Sequence, residues 1–388
     1  MLAEAAFCTG CGSCVTICPY HCISMEVDCE GFLYPEVNFQ KCIACRLCEK
    51  ACPVLNGDSL KCSEKSTSYA VQNRNEDIRR KSSSGGVFMP LALSVIEQGG
   101  VICAAKYTDN FDVIHSITEN RKDICAYCGA KYAQSKAEQC FDEIKDLLNR
   151  GRKVLFVGTP CQVAGLNAYL NYPYDNLLLV DMICHGVPSP LVWKKYLEER
   201  KRIDADGAEL IAVDLRNKST GWSRYSYSVR FDYKNGKSYS VQQEKDMFMK
   251  GFTANLYLRP SCSNCKFKGI ERLSDITLGD YWGVWNLYPE FDDNIGTSLV
   301  LIHSEKGKKM WEHIQGEFRF FKISNEDAIQ YNQSAIKESP ASDRRTDFFD
   351  GLSQGQQVSD LVQFCLLAQN NKKMSIAQKI LSKVFSRN

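Results

Sequence analysis

A chain of 388 residues is long enough for two or three domains, since a single core usually stops growing at roughly 250–300 residues. Lysine and arginine number 48 against 46 aspartates and glutamates, so a net charge of +2 supplies no field for nucleic acid or membrane as a bulk partner. The 20 cysteines are too sparse for a disulfide scaffold and gather at two-residue gaps, a pattern that predicts metal ligation in a reducing compartment and hence a soluble, cytoplasmic protein. Met1 to Ala6 shows neither the basic start nor the apolar core of a secretory signal. Residues 87–96 are nearly all apolar, yet ten residues are too few for a bilayer that needs about 20, so no transmembrane segment is expected.

In chain order, residues 1–62 form one cysteine-rich block closed by Cys52-Pro53, and the polar stretch Asn56 to Ser68 reads as a linker. Beyond Tyr69 strands and helices alternate. Val101 to Tyr107 predicts a strand, Glu138 to Leu148 has helical spacing, and Lys153 to Val157 predicts a buried strand leading into a helix. Leu177 to Cys184 is a further apolar run. Ser189-Pro190 then places a capping serine before a proline at the first helical position, with the helix running to about Arg202. Tyr225 to Tyr233 and Lys237 to Val241 flank Asn235-Gly236 and predict a hairpin closed by a type I′ turn, so the core is expected to be mixed rather than purely parallel. Val358 to Phe385 is helical in pattern. Its last part sets Met374, Ile376, Ile380, Val384 and Phe385 beside Lys372, Lys373, Lys379, Lys383 and Arg387. Such a face suits packing on its own domain, the commoner use, or peripheral contact with a membrane.

Cys8, Cys11, Cys14 and Cys18-Pro19 repeat their spacing in Cys42, Cys45, Cys48 and Cys52-Pro53, the bacterial two-cluster ferredoxin run written twice. Three close thiolates wrap one face of a 4Fe-4S cubane while the fourth ligand comes from the other quartet. Cys8, Cys11, Cys14 and Cys52 are therefore assigned to one cluster, and Cys42, Cys45, Cys48 and Cys18 to the other. Zinc is disfavoured, because its sites rarely use three cysteines at successive two-residue gaps closed by Cys-Pro. Cys22, Cys29 and Cys62 are left over and read as small core residues.

A second constellation is scattered: Cys161 in Gly158-Thr159-Pro160-Cys161-Gln162, Cys184 in Cys184-His185-Gly186, and the pair Cys262 and Cys265. Cys161 falls where a strand ends and a helix begins, the edge at which α/β proteins place ligands, and Cys184 ends the next strand, so a third cluster is expected there. A rival pairing of Cys125 and Cys128 with Cys262 and Cys265 would make a zinc-stabilised interaction module. His185 is a candidate for proton donation or metal ligation, although a lone histidine is more often a structural hydrogen-bonding group. Lys81-Ser82-Ser83-Ser84-Gly85-Gly86 opens the apolar helix from Val87 and aims N–H groups and hydroxyls at an anion such as a cofactor diphosphate. Gly129 to Ser135 adds a cation, an aromatic face and polar side chains in one loop. No GxGxxG follows a strand, so a Rossmann nucleotide site is not indicated.

On these residues, together with Ser274-Asp275-Ile276 and Gly279-Asp280-Tyr281-Trp282-Gly283, the chain resembles the family of coenzyme F420 hydrogenase and dehydrogenase beta subunits. The resemblance implies FAD beside a 4Fe-4S cluster. By position, Ser84, Gly85, Gly86, Lys131, Tyr132, Ser135 and Thr159 match the family's flavin segments, and Cys161, Cys184, Cys262 and Cys265 its cluster. Lys131 and His185 are the side chains expected to give a proton or stabilise charge. The fold expected is thus an α+β ferredoxin-like two-cluster module over 1–62, a mixed α/β flavin-binding core over 63–345 and a helical C-terminal tail over 346–388. The implied activity is an iron-sulfur flavoprotein oxidoreductase exchanging electrons between ferredoxin, or another redox protein, and a small-molecule hydride acceptor. That acceptor is coenzyme F420-like or an organic metabolite, the latter in a setting such as polysaccharide assembly in an anaerobe. The alternative is a non-catalytic electron-transfer subunit of a larger complex. Cys128 and the lysine-rich Lys266-Phe267-Lys268-Gly269 depart from the family pattern and point toward a changed substrate.

Overall fold

The computed structural model describes residues 2–57, 66–223 and 226–368. In it the two cysteine quartets fold into the same turn twice. Gly10 and Gly12 take left-handed φ of 65° and 79°, and Ala44 and Arg46, at the matching places of the second quartet, take 57° and 61°. A one-turn helix follows each, Ser13–Thr16 and Leu47–Lys50. Outside glycine this conformation costs roughly 1–2 kcal/mol per residue, so the second copy holds a shape that its local preferences oppose. Between the quartets β1 (Ile23–Val27) pairs antiparallel with β2 (Leu33–Val37).

The core is built on β3 (Thr67–Asn73), β4 (Val101–Tyr107), β5 (Val113–Thr118), β6 (Val154–Val157) and β7 (Leu177–Met182). A second set comprises β8 (Leu210–Asn217), β9 (Ser228–Tyr233), β10 (Ser238–Gln242), β11 (Ile276–Asp280), β12 (Ser298–Ile302) and β13 (Phe318–Ile323). Eight of these make one sheet in the order β13-β3-β12-β11-β7-β6-β4-β5. Its centre, β4-β6-β7-β11, is parallel, and every other pairing is antiparallel. All residues of β6 and β12 are buried, as expected of strands covered on both faces. The helix Pro160–Leu170 starts with proline at its first position and a capping box between Thr159 and Gln162. The helix Pro190–Ala205 is capped by Ser189, whose side chain accepts from the Val192 N–H, and it runs a turn past the expected end.

The core is mixed, but not for the reason the sequence suggested. The hairpin β9-β10 belongs to a separate three-stranded sheet, β10-β9-β8, and the main sheet is mixed through β5, β12, β3 and β13. Nor is its turn type I′. φ is positive at Gly236 (82°) and not at Asn235, and the Gly236 N–H donates to the Tyr233 carbonyl while Tyr233 and Lys237 still pair, which makes a three-residue loop ending in a glycine bulge. Thr67 and Ser68, read as linker, begin β3. The boundary placed at 345/346 cuts into the helix Arg345–Ser353, whose Phe348 and Leu352 join Leu361 and Val362 in one buried cluster with Tyr257 and Phe248. This part of the tail therefore belongs to the core. Cys62 and the basic stretch 372–387 lie outside the described residues. Among the described residues no helix is long and apolar enough to cross a membrane.

Candidate cluster and cofactor site

In the head, Cys8, Cys11, Cys14 and Cys52 line one small cavity, the crossed set expected from spacing. Burial pushes the Cys14 thiol far up, and Cys11, Cys8 and Cys52 push it further. Cys48 is raised by burial and by the neighbouring thiols of Cys45 and Cys18, which belong to the other set. Four thiols so placed suit a group that takes thiolates and supplies positive charge. The repeated left-handed turns fit the same group. Cys22 is buried as a small core residue, but its sulfur lies 3.3 Å from that of Cys18.

The head sits against the core where Cys161 begins the helix Pro160–Leu170. Ser13 Oγ donates to the Gly165 carbonyl at 2.7 Å, and a β-carbon on Gly165 would come within 2.7 Å of Cys11 Cβ, so only glycine admits this approach. Gly165 is one turn beyond Cys161, about 6 Å along the axis. Arg259, buried at 2% exposure, ties the joint. It donates to the carbonyls of Cys8 (2.7 Å) and Leu33 (2.8 Å) and to Gln134 Oε1 (2.8 Å), and lies over the rings of Tyr34 and Phe32. Gln134 Nε2 reaches back to the Thr9 carbonyl at 3.3 Å. Glu30 pairs with Arg345, and its carbonyl accepts from Ser189 Oγ.

The core cysteines lie near one another. Burial raises the Cys161 thiol, and Cys184, Cys265 and Cys262 raise it further. The thiols around Cys262 are Cys184 and Cys265, whereas Cys128 faces Lys131 and Cys125, so the zinc pairing of Cys125 and Cys128 with Cys262 and Cys265 is not formed. Among the described residues no three His, Cys, Asp or Glu side chains are set to hold a single metal ion. A cubane asks something else, since each thiolate binds its own iron. The lysines after Cys265 are anchors: Lys266 Nζ donates to the Val54 carbonyl of the head (3.1 Å), and Lys268 Nζ to the carbonyls of Cys184 and Ser334. That role explains their presence without any change of substrate.

Beside these cysteines opens a cavity of about 890 Å³, within the range of cofactor sites. Ser84, Gly86, Lys131, Tyr132, Ser135 and Thr159 line it, and so do Cys161, Cys184 and His185. Gly85 does not. A β-carbon there would come within 2.2 Å of the Val71 carbonyl and 2.5 Å of the Ser298 nitrogen, so its bareness lets the loop lie on β3 and β12 rather than admit a ligand. Ser84 Oγ donates to the Thr297 carbonyl (2.9 Å) and the Gly85 N–H to Ser298 Oγ (2.8 Å), so two groups expected to face an anion are engaged within the fold.

Ser135 and Thr159 belong to one polar chain. His115 is held neutral, its pKa lowered to about 4 by burial. Its Nε2 donates to the Val157 carbonyl (2.9 Å), and its Nδ1 accepts from Ser135 Oγ (3.0 Å). Ser135 Oγ accepts from Gln162 Nε2 (2.9 Å), and Gln162 Oε1 accepts from the Thr159 N–H (3.0 Å). Burial lowers the Lys131 pKa to about 8, and its Nζ donates to the carbonyls of Cys128 (2.8 Å), Gly129 (3.2 Å) and Tyr127 (3.3 Å). His185 is kept neutral by burial. Asn255 Nδ2 donates to the Pro340 carbonyl, which turns Asn255 Oδ1 toward His185 Nε2 at 2.7 Å and fixes the proton there.

Sequence reasoning missed Arg216, Asp280 as its partner, His115 and Arg259. Arg216 lines the cavity and pairs with both oxygens of Asp280 (2.8 and 3.0 Å), with its guanidinium over Tyr227 (4.1 Å) and Trp282 (5.0 Å). Its Nε is buried without a hydrogen-bond partner. Arg216 comes from the small sheet and Asp280 from the large one, so no local pattern joins them. Lys218, two residues on, donates to the carbonyls of Arg79 and Ser84 at 2.6 Å each and fastens the serine loop.

These features define an iron-sulfur protein with a ferredoxin-type head on a mixed α/β core. Residues 7–56 match a 4Fe-4S dicluster domain. Residues 68–140 match the N-terminal part, and residues 151–326 the C-terminal part, of the coenzyme F420 hydrogenase/dehydrogenase beta subunit, and the chain belongs to that family. It is 22% identical over 322 residues to a coenzyme F420-dependent sulfite reductase of Methanocaldococcus jannaschii, covering 80% of this chain and 46% of that protein, so it spans just under half of that relative. It is 22% identical over 334 residues to the F subunit of the F(420)H(2) dehydrogenase of Methanosarcina mazei, covering 80% and 83%. The beta subunit of the coenzyme F420 hydrogenase of Methanococcus voltae is 25% identical over 252 residues, covering 62% and 78%. A chain of the F420-reducing NiFe hydrogenase complex from Methanosarcina barkeri superposes with a TM-score of 0.46 at 17% identity, covering 70% of this chain and 90% of that one.

Proposed function

We propose that the chain is an iron-sulfur flavoprotein oxidoreductase in which the head passes electrons to a third 4Fe-4S cluster on Cys161, Cys184, Cys262 and Cys265, beside FAD in the cavity. The observation that carries this reading is that one cavity wall contains both the Cys161 and Cys184 segments and the Ser84, Lys131 and Tyr132 segments. Bound there, a flavin would exchange single electrons with a cluster and a hydride with a small molecule. The protein's own part is placement. The Asp280 pair and two aromatic faces hold Arg216 at the wall, the carbonyls of the Gly129 loop hold the Lys131 ammonium there too, and the Thr159-Gln162-Ser135-His115 chain stiffens the floor. His185, its proton committed to Asn255, positions the Cys184 segment, and Lys131, its three hydrogens held by carbonyls, is the charge stabiliser. The substrate is a hydride acceptor, coenzyme F420-like or an organic metabolite.

The names of two relatives, each a part of a larger enzyme, favour a second reading, an electron-transfer subunit that serves a partner enzyme. Iron, sulfide and flavin per chain, measured after purification without oxygen, separate the two. About twelve irons and one FAD are expected for three cubanes and a flavin. About eight irons and no flavin uptake on reconstitution would leave only the electron-transfer role.

A further inference from the structure

The outer head cluster, on Cys18, Cys42, Cys45 and Cys48, is the one whose ligand Cys45 is exposed. The surface around it is unusually apolar for exposed chain. Phe39, three residues before Cys42, is 83% exposed; Ile43, next to Cys42, is 58%; Leu47, next to Cys48, is 37%; and Tyr20, two residues after Cys18, is 52%. Exposed Lys41, Arg46 and Lys50 are interleaved with them, and over 36–50 the acidic residues are the exposed Glu36 and the half-buried Glu49. An isolated apolar side chain at the surface needs no explanation, but four flanking the ligands of one redox centre do.

We propose that this face docks an acidic electron-carrier protein, with Phe39, Ile43, Leu47 and Tyr20 as the contact and Lys41, Arg46 and Lys50 as the steering charges. The proposal rests on the cluster assignment of the head. The charge sign selects the occupant: a basic rim around an apolar centre speeds encounter with a partner of opposite sign and repels a second copy of the same face. The exposed ligand selects the place, because an electron passes between proteins only where the two centres come close. In the step itself one electron leaves the reduced carrier, which is oxidised by one, and enters the outer cluster, which is reduced by one; no bond forms and no proton moves. The inner cluster against Gly165 then lies between this entry point and Cys161.

The test uses the full chain with its clusters loaded, and as probe a reduced two-cluster ferredoxin of strongly negative net charge. Reduction is followed by bleaching in stopped flow. Dithionite, which needs no docking face, serves as control. Wild type should be reduced rapidly by the ferredoxin, with a rate that falls as salt rises. Lys41→Glu with Lys50→Glu should slow it by about tenfold or more and remove the salt dependence, while the rate with dithionite, a small anion, falls far less and the iron content is unchanged. Phe39→Ser, which leaves the charges in place, should slow it while keeping the salt slope. Wild-type rates in both variants would overturn the surface. Failure of the ferredoxin to reduce a wild-type protein that dithionite does reduce would overturn the occupant, as would self-association of the wild type abolished by Phe39→Ser. A purified chain without iron in its head would instead overturn the cluster assignment underneath.

Discussion

The head and the core each gather cysteines into one place, and they do it in opposite ways. Head ligands come from two runs of eleven residues with identical spacing, and the apolar cluster beside them centres on Cys18, Cys22 and Ile23. The core cysteines come from three segments about a hundred residues apart in all, brought together by the ends of β6 and β7 and by a loop before β11. A region this small with so little apolar burial depends on its metal for stability, whereas an eight-stranded sheet covered by helices stands without it.

The largest effect that this contrast predicts is on ligand removal. Cys52→Ala should lose about four irons, the same cluster lost in Cys8→Ala, and should destabilise the head while the core unfolds at its usual denaturant concentration. Cys161→Ala should also lose about four irons but leave the head clusters and the fold in place. Iron analysis with electron paramagnetic resonance and denaturant unfolding reads both. Loss of eight irons in Cys161→Ala would show that the head depends on the core and break the contrast.

How much of each region was readable follows the same division. In the head, the grouping of Cys8, Cys11 and Cys14 with Cys52 about one cavity was legible, because the repeated spacing is local. The core cysteines were legible as strand-end residues, and the alignment of β6 and β7, Val154 with Leu177 and Val157 with Val180, delivers Cys161 and Cys184 to one edge. Arg216 was not legible, since its meaning arises only when the small sheet swings against Asp280. Gly85 was misread for a related reason: a glycine beside serines resembles an anion loop, and only the closeness of Val71 and Ser298 shows a packing constraint. The hairpin was placed correctly, but sequence contains no cue to which sheet it joins.

A smaller effect sharpens the joint between the regions. Arg259→Gln leaves the carbonyls of Cys8 and Leu33 without their donors, at about 1–3 kcal/mol for each group stranded from water. Because the side chain binds the head to the loop before Cys262, the loss should fall on docking rather than on either fold. Limited proteolysis should cut between head and core faster, and one unfolding transition should resolve into two. If cleavage rate and transition stay as in wild type, docking rests on Ser13 with Gly165 and on Glu30 with Arg345 instead.

The smallest effect distinguishes the core by protons. His115 lies neutral in the floor of the cavity with its pKa at about 4, below the ordinary 6.5, because burial disfavours the imidazolium and the positive charge of Lys131 adds to that, outweighing the hydrogen bond to the Val157 carbonyl. Between those values the unfolded chain takes up a proton that the folded chain refuses. The stabilisation is therefore complete above pH 6.5, declines as pH falls toward 4, and changes no further below that, a loss of about 3 kcal/mol at most. His303, lowered to about 3 by burial, adds a slope of the same sign. His115→Gln retains a donor and an acceptor at the ring's place and has no proton to gain, so it should make the pH dependence shallower by the His115 share and leave that of His303. Hydrogen exchange of β4 and β6 amides across this range reads the core alone. An unchanged slope in His115→Gln would mean that acid weakens the cavity floor through His303 and the sheet, and that the polar chain from Thr159 to His115 is not where the core senses protons.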